Sequence, residues 1–125
     1  WVTADGYHDL GPGDRESQSI QEVAYKLSEC MTCGCCVEAC PQYTQKNNFL
    51  GAAAISQARL FNMHHTGKNI IDQRLDTLMQ EGGISDCGNA QNCVEVCPKS
   101  ITLTESIAEI GRQVSGKIWR NIFNA

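Results

Sequence analysis

Cys30-Met31-Thr32-Cys33-Gly34-Cys35-Cys36-Val37-Glu38-Ala39-Cys40-Pro41 is nearly repeated further along the chain as Cys87-Gly88-Asn89-Ala90-Gln91-Asn92-Cys93-Val94-Glu95-Val96-Cys97-Pro98. Aligned on Cys-Pro, the first copy has cysteine at 30, 33, 36 and 40, and the second at 87, 93 and 97, with Ala90 in the remaining place. The first spacing, C-x2-C-x2-C-x3-C-P, is that of two-cluster iron–sulfur proteins. Three of its thiolates hold one cluster and the cysteine before Pro reaches the other. Applied to both copies, this crossing makes Cys30, Cys33, Cys36 and Cys97 a full set for a [4Fe-4S] cluster. Cys40, Cys87 and Cys93 remain for a second cluster, and three thiolates suit [3Fe-4S].

Composition narrows the alternatives. A formal charge of −4 and an isoelectric point near 5.2 exclude a nucleic-acid partner, which needs a basic face to displace counterions from phosphates. Eight cysteines in 125 residues admit a disulfide scaffold, a zinc site or a redox centre, and spacing separates them. Disulfide frameworks spread cysteines over separate loops, whereas five of these lie between Cys30 and Cys40. Zinc favours paired C-x2-C knuckles around one ion, and the second copy has none. Iron–sulfur ligation follows, and with it a reducing compartment. The longest apolar run, Phe49 to Ile55, is seven residues against the roughly 20 that span a bilayer, so the chain reads as soluble or peripheral.

The chain divides into a linker, 1–16, and one domain, 17–125. Asp5-Gly6 and Gly11-Pro12-Gly13 mark turns in the linker, which opens at Trp1 like a mid-protein loop and leads in from a further domain. Ser19 with Glu22 fits a capping box, and Ile20, Val23, Ala24 and Leu27 give a helix ending near Cys30. Pro41 stops the turn that carries Cys36 and Cys40. Two apolar stripes follow, Leu50, Ala54, Ala58, Phe61 and Ile71, Leu75, Leu78, Met79, the latter closed by Gly82-Gly83. Thr102 with Glu105 caps a last helix whose inward stripe is Leu103, Ile107, Ile110 and Val114. No segment reads convincingly as a strand. The fold class is all-α, an alpha-helical ferredoxin with two clusters between helices, in which ligation supplies much of the folding free energy.

Other residues have plainer readings. Cys35 is out of register with the repeat and reads as a small buried side chain. His64-His65 opens a polar turn before Thr66-Gly67-Lys68-Asn69. Lys99 follows a ligand, where a cation would favour the reduced cluster, or else it is a solvated lysine. Ile118, Trp119, Ile122 and Phe123 are expected to pack within the chain.

No nucleophile–base pair or phosphate loop is evident, and two clusters with interleaved ligands lie close enough to pass electrons. The cysteine motif with its missing fourth ligand, together with Phe49-Leu50-Gly51-Ala52-Ala53, Arg59-Leu60-Phe61 and Cys97-Pro98-Lys99, resembles the C-terminal domain of the iron–sulfur subunit of succinate dehydrogenase and fumarate reductase. The resemblance implies an electron-transfer subunit of succinate dehydrogenase (quinone) in the tricarboxylic acid cycle, with no substrate chemistry of its own. Its electrons come from a flavoprotein subunit through a [2Fe-2S] centre in an N-terminal domain absent from this chain. They pass to [4Fe-4S] and [3Fe-4S], and on to a membrane anchor at the cytoplasmic face. Ubiquinone-reducing members have a Trp shortly after the position of Pro41 and a His directly after that of Cys87. Thr44 or Gln45 and Gly88 stand there instead, so the chain looks more like the branch with a dihaem cytochrome b anchor and menaquinone. A fumarate reductase running in reverse shares these features. A free-standing two-cluster carrier would have two complete four-cysteine runs, and Ala90 counts against it.

Overall fold

The computed structural model describes residues 15–124. Most of the expected linker 1–16 and the last residue of the expected domain 17–125 lie outside the described residues. Every regular element among the described residues is helical. Helix α1 spans Gln18–Ser28, α2 Cys35–Glu38, α3 Ala52–Met63, α4 Ile71–Met79, α5 Asn92–Val96 and α6 Leu103–Phe123, with single 3-10 turns at Gly67–Ile70 and Ile84–Asp86.

The cap of α1 sits earlier than Ser19. Ser17 has the extended backbone of a cap, and its Oγ accepts the Ile20 N–H at 3.4 Å. Gln18 then reaches Glu22, Nε2 to Oε1 at 2.9 Å, taking the partner expected for Ser19. At α6 the Thr102 Oγ1 and Glu105 Oε2 bond to each other at 3.1 Å, and neither side chain caps the backbone.

Two apolar cores organise the chain. The first joins α3, α4 and α6 through Phe49, Ile55, Ala58, Leu75, Leu78, Ile110 and Val114. Full burial of such side chains contributes roughly 1.5–3 kcal/mol each. The second is built from Leu27, Cys36, Ala52, Cys93, Ile101 and Leu103, so two cysteines are part of its substance. Helix α3 is rotated relative to the expected stripe. It buries Ala52, Ile55 and Ala58, while Ala54 is only partly covered and Leu50 precedes the helix. Met79 is 37% exposed because Gln80 ends α4 on an extended backbone.

Helix α6 carries the largest correction. Ile118, Trp119, Ile122 and Phe123, expected to pack inside, are 42, 59, 62 and 74% exposed. The helix buries Val114 and Lys117 and then runs on with its apolar residues in the open, and Trp119 and Phe123 stack on each other at 5.5 Å. Lys117 itself is buried and donates to the Asp72 carbonyl at 2.8 Å and to Asp76, which ties α6 to α4. Arg74 is the other buried cation, donating to Asn62 Oδ1 at 3.2 Å and to the Gly67 carbonyl, with its guanidinium over the Phe61 ring. The turn at His64-His65 is polar, as expected. His64 Nδ1 accepts the N–H groups of Thr66 and Gly67, and His65 Nε2 lies 2.8 Å from Glu16 Oε1.

Candidate metal centres

The two cysteine loops share one backbone design. In the first, Thr32 and Gly34 have positive φ, 56° and 80°, on either side of Cys33. In the second, Asn89 and Gln91 have φ of 56° and 66° on either side of Ala90. Left-handed residues at alternate positions turn a short segment sharply, and each loop then delivers the cysteine at the third place of the pattern to the start of a short helix: Cys36 in α2, Cys93 in α5. Those two helices pack on each other. Asn92 Nδ2 donates to the Ala39 carbonyl at 3.1 Å, a bond from the start of the second short helix to the end of the first.

Two cavities result. One, of about 120 Å³, is lined by Cys30, Cys33, Cys36 and Cys97, with Val37, Ala53, Ile101 and Leu103 as apolar wall and Lys99 at its margin. The other, of about 20 Å³, is lined by Cys40, Cys87 and Cys93, with Ala90, Phe49, Ala52 and Ile107 among its apolar wall and Gln42 beside Gly88. The structure therefore brings Cys97 to the thiols of the first loop and Cys40 to those of the second. Cys35 is placed in neither wall and is exposed, not buried as the sequence led us to expect. The sequence signal for this was its register.

The thiols differ in their readiness to ionise. Burial pushes Cys36 and Cys93, which stand at equivalent places in the two loops, above the ordinary thiol value. The backbone N–H of Cys35 holds the exposed Cys33 below it, and hydrogen bonding to Cys33 in turn raises Cys35. Cys97 Sγ accepts the Ile101 N–H at 3.5 Å. All eight cysteines are free thiols, and among the described residues no three Cys, His, Asp or Glu side chains converge closely enough to hold a single metal ion. Four thiols line one cavity and three the other, a donor set suited to a multinuclear cluster in each.

Residues 26–101 match the protein family described as the 4Fe-4S dicluster domain. The chain belongs to that family. Over its full length this dicluster chain is also 51% identical to the succinate dehydrogenase iron-sulfur subunit of Bacillus subtilis (strain 168), covering 49% of that protein. It is 25% identical over 115 residues to the fumarate reductase iron-sulfur subunit of Wolinella succinogenes, covering 91% of this chain and 48% of the relative. The same subunit of Haemophilus influenzae is 34% identical over 103 residues, covering 82% of this chain and 40% of the relative. The resemblance read from the motifs is thus met by sequence similarity along the chain, which spans about half the length of these curated relatives. No helix among the described residues is long and apolar enough to cross a membrane.

Proposed function

We propose that this dicluster domain is the electron-relay part of a succinate dehydrogenase iron–sulfur subunit. It would hold [4Fe-4S] at Cys30, Cys33, Cys36 and Cys97, and [3Fe-4S] at Cys40, Cys87 and Cys93. The observation that carries the reading is the sorting of seven cysteines between two cavities, with the cysteine before each proline in the cavity of the other loop. Bound clusters supply one-electron chemistry at potentials set by cluster type, charge and hydrogen bonds to sulfur. The chain's own contribution is to position and insulate. Apolar walls bury Cys36 and Cys93, and the contact between α2 and α5 keeps the two cavities adjacent, so electrons pass between them over a short distance.

The remaining assignments are those that the resemblance to the succinate dehydrogenase and fumarate reductase family implies. The flavoprotein subunit is the electron donor, a membrane anchor of the dihaem cytochrome b kind is the acceptor, and menaquinone is the eventual oxidant. The domain sits peripherally at the cytoplasmic face, within an enzyme of the tricarboxylic acid cycle. The dihaem branch is favoured by the second cavity, where Gly88 replaces the histidine of ubiquinone-reducing members and its space is taken by Gln42. Iron and acid-labile sulfide analysis of anaerobically purified protein tests the core of the proposal. About seven irons and eight sulfides per chain, with a paramagnetic signal in the oxidised form, are expected for one cluster of each type. A colourless protein with one or two zinc ions would overturn it.

A further inference from the structure

Gln42 and Lys99 stand at the same place in the two repeats, each directly after a Cys-Pro pair, and each lines the cavity that its own pre-proline cysteine enters. The first cavity therefore has a cation at its margin and the second a neutral carboxamide. That carboxamide has a defined seat. A Cβ built on Gly88 would lie 2.6 Å from Gln42 Nε2 and 3.0 Å from its Cδ, so the side chain rests where only a glycine leaves room. Its backbone is fixed on the other side, because Asn47 Nδ2 donates to the Gln42 carbonyl at 2.6 Å.

Most of the wall of the second cavity cannot donate a hydrogen bond from a side chain. Pro41 lacks even an N–H, Ala90 presents a methyl, Phe49, Ala52 and Ile107 are apolar, and the Asn92 amide is engaged with Ala39; Asn89, Gln91 and Thr104 are the other polar side chains of the wall, and Gln42 is set apart from them by its seat against Gly88. The Gln42 carboxamide makes no hydrogen bond to another described residue, so its N–H donors are uncommitted beside the cavity it lines. We infer that Gln42, seated against Gly88, is a hydrogen-bond donor to the cluster held by Cys40, Cys87 and Cys93 and sets that cluster's reduction potential. The inference rests on the cluster assignment proposed above. A donor directed at cluster sulfur stabilises the more negative reduced state and raises the potential. Gln42 is thus a tuning and positioning residue, and Gly88 is what lets it reach.

The test is a paramagnetic-resonance redox titration of the cluster-loaded subunit in its assembled enzyme, for wild type, Gln42→Leu and Gly88→Ala. Both variants should shift the midpoint of the second cluster downward and leave that of the first in place. The oxidised second cluster of the wild type should also show a deuterium-exchangeable proton coupling that Gln42→Leu lacks. If Gln42→Leu fails to load, Gly88→Ala reads the same displacement with the carboxamide intact. An unmoved midpoint with the coupling retained overturns the inference, as does an equal shift of both clusters. Absence of any oxidised [3Fe-4S] signal in the wild type is a different failure, one that removes the cluster assignment itself and this inference with it.

Discussion

The loop from Cys30 to Cys36 and the loop from Cys87 to Cys93 follow nearly the same backbone with different side chains. Left-handed residues fall at the same register in both, yet only one of the four, Gly34, is a glycine. Thr32, Asn89 and Gln91 adopt a conformation that costs L-residues about 1–2 kcal/mol each, with asparagine at the lenient end. The second loop accepts that strain although Ala90 gives it no central thiol. Backbone winding and ligand count are therefore separable, since the winding belongs to both loops and one side chain decides how many thiolates face the cavity.

Removing the metal should affect the molecule unevenly. The core of Leu27, Cys36, Ala52, Cys93, Ile101 and Leu103 contains two of the proposed ligands, whereas that of α3, α4 and α6 has no cysteine among its fully buried members. Ligation is worth on the order of 10 kcal/mol in small metal-dependent domains, comparable to the whole stability of an ordinary domain. Chelation should abolish amide protection in α1, α2 and α5 and leave part of it in α3, α4 and α6. Far-ultraviolet circular dichroism should fall without vanishing. An unchanged spectrum would show that both loops are wound without their clusters.

Substituting the crossing cysteines comes next. Cys97→Ser should remove the [4Fe-4S] centre although it lies in the second repeat, and Cys40→Ser the [3Fe-4S] centre although it lies in the first. Paramagnetic resonance of each variant in oxidised and reduced forms checks both. Loss of the cluster belonging to the substituted residue's own repeat would mean that each loop closes on itself.

Ala90→Cys then asks what the shared backbone is worth. If the winding around residue 90 already matches that around Cys33, a thiol there faces the second cavity and the cluster takes a fourth iron. Its potential should fall, because added thiolate charge disfavours reduction, and quinone reduction by the assembled enzyme should slow. The oxidised [3Fe-4S] signal should disappear at full iron occupancy. Its persistence would show that the second loop differs from the first in more than one side chain.

Those loops also mark how far sequence carries. The repeat register was readable because thiolate spacing is dictated by the cluster, and it separated Cys35 from the seven cysteines that line the cavities. Helices α4 and α6 were readable from apolar periodicity at Leu75, Leu78, Leu103, Ile110 and Val114. What periodicity could not show is polar burial. Arg74 and Lys117 look like surface cations in a stripe pattern, and only the acceptors brought to them by the fold, the Gly67 and Asp72 carbonyls and Asp76, make their burial tolerable. The exposed end of α6 failed for a related reason. Apolar spacing says that a face exists, and only tertiary contacts say whether this chain covers it. The seat of Gln42 on Gly88 was likewise invisible, since it depends on two segments meeting.

The smallest effects belong to a position where the loops differ at equal register outside the cysteine pattern, Cys35 in the first and Asn92 in the second. Asn92 donates across to Ala39 from an exposed site, so Asn92→Ala should cost about 1 kcal/mol or less, read as a lowered denaturant midpoint with both clusters retained. Cys35 is exposed, lies in neither of those two cavity walls, and has its thiol pushed above the ordinary value by hydrogen bonding to Cys33. The Cys35 backbone N–H that holds Cys33 down survives any side-chain change. Cys35→Ser should therefore keep both cluster signals and stay within about 0.5 kcal/mol of wild type, as expected for a surface substitution. Iron and sulfide content beside a denaturation curve measures both, and loss of either cluster in Cys35→Ser would mean that the register shared by the two loops does not decide which thiols are ligands.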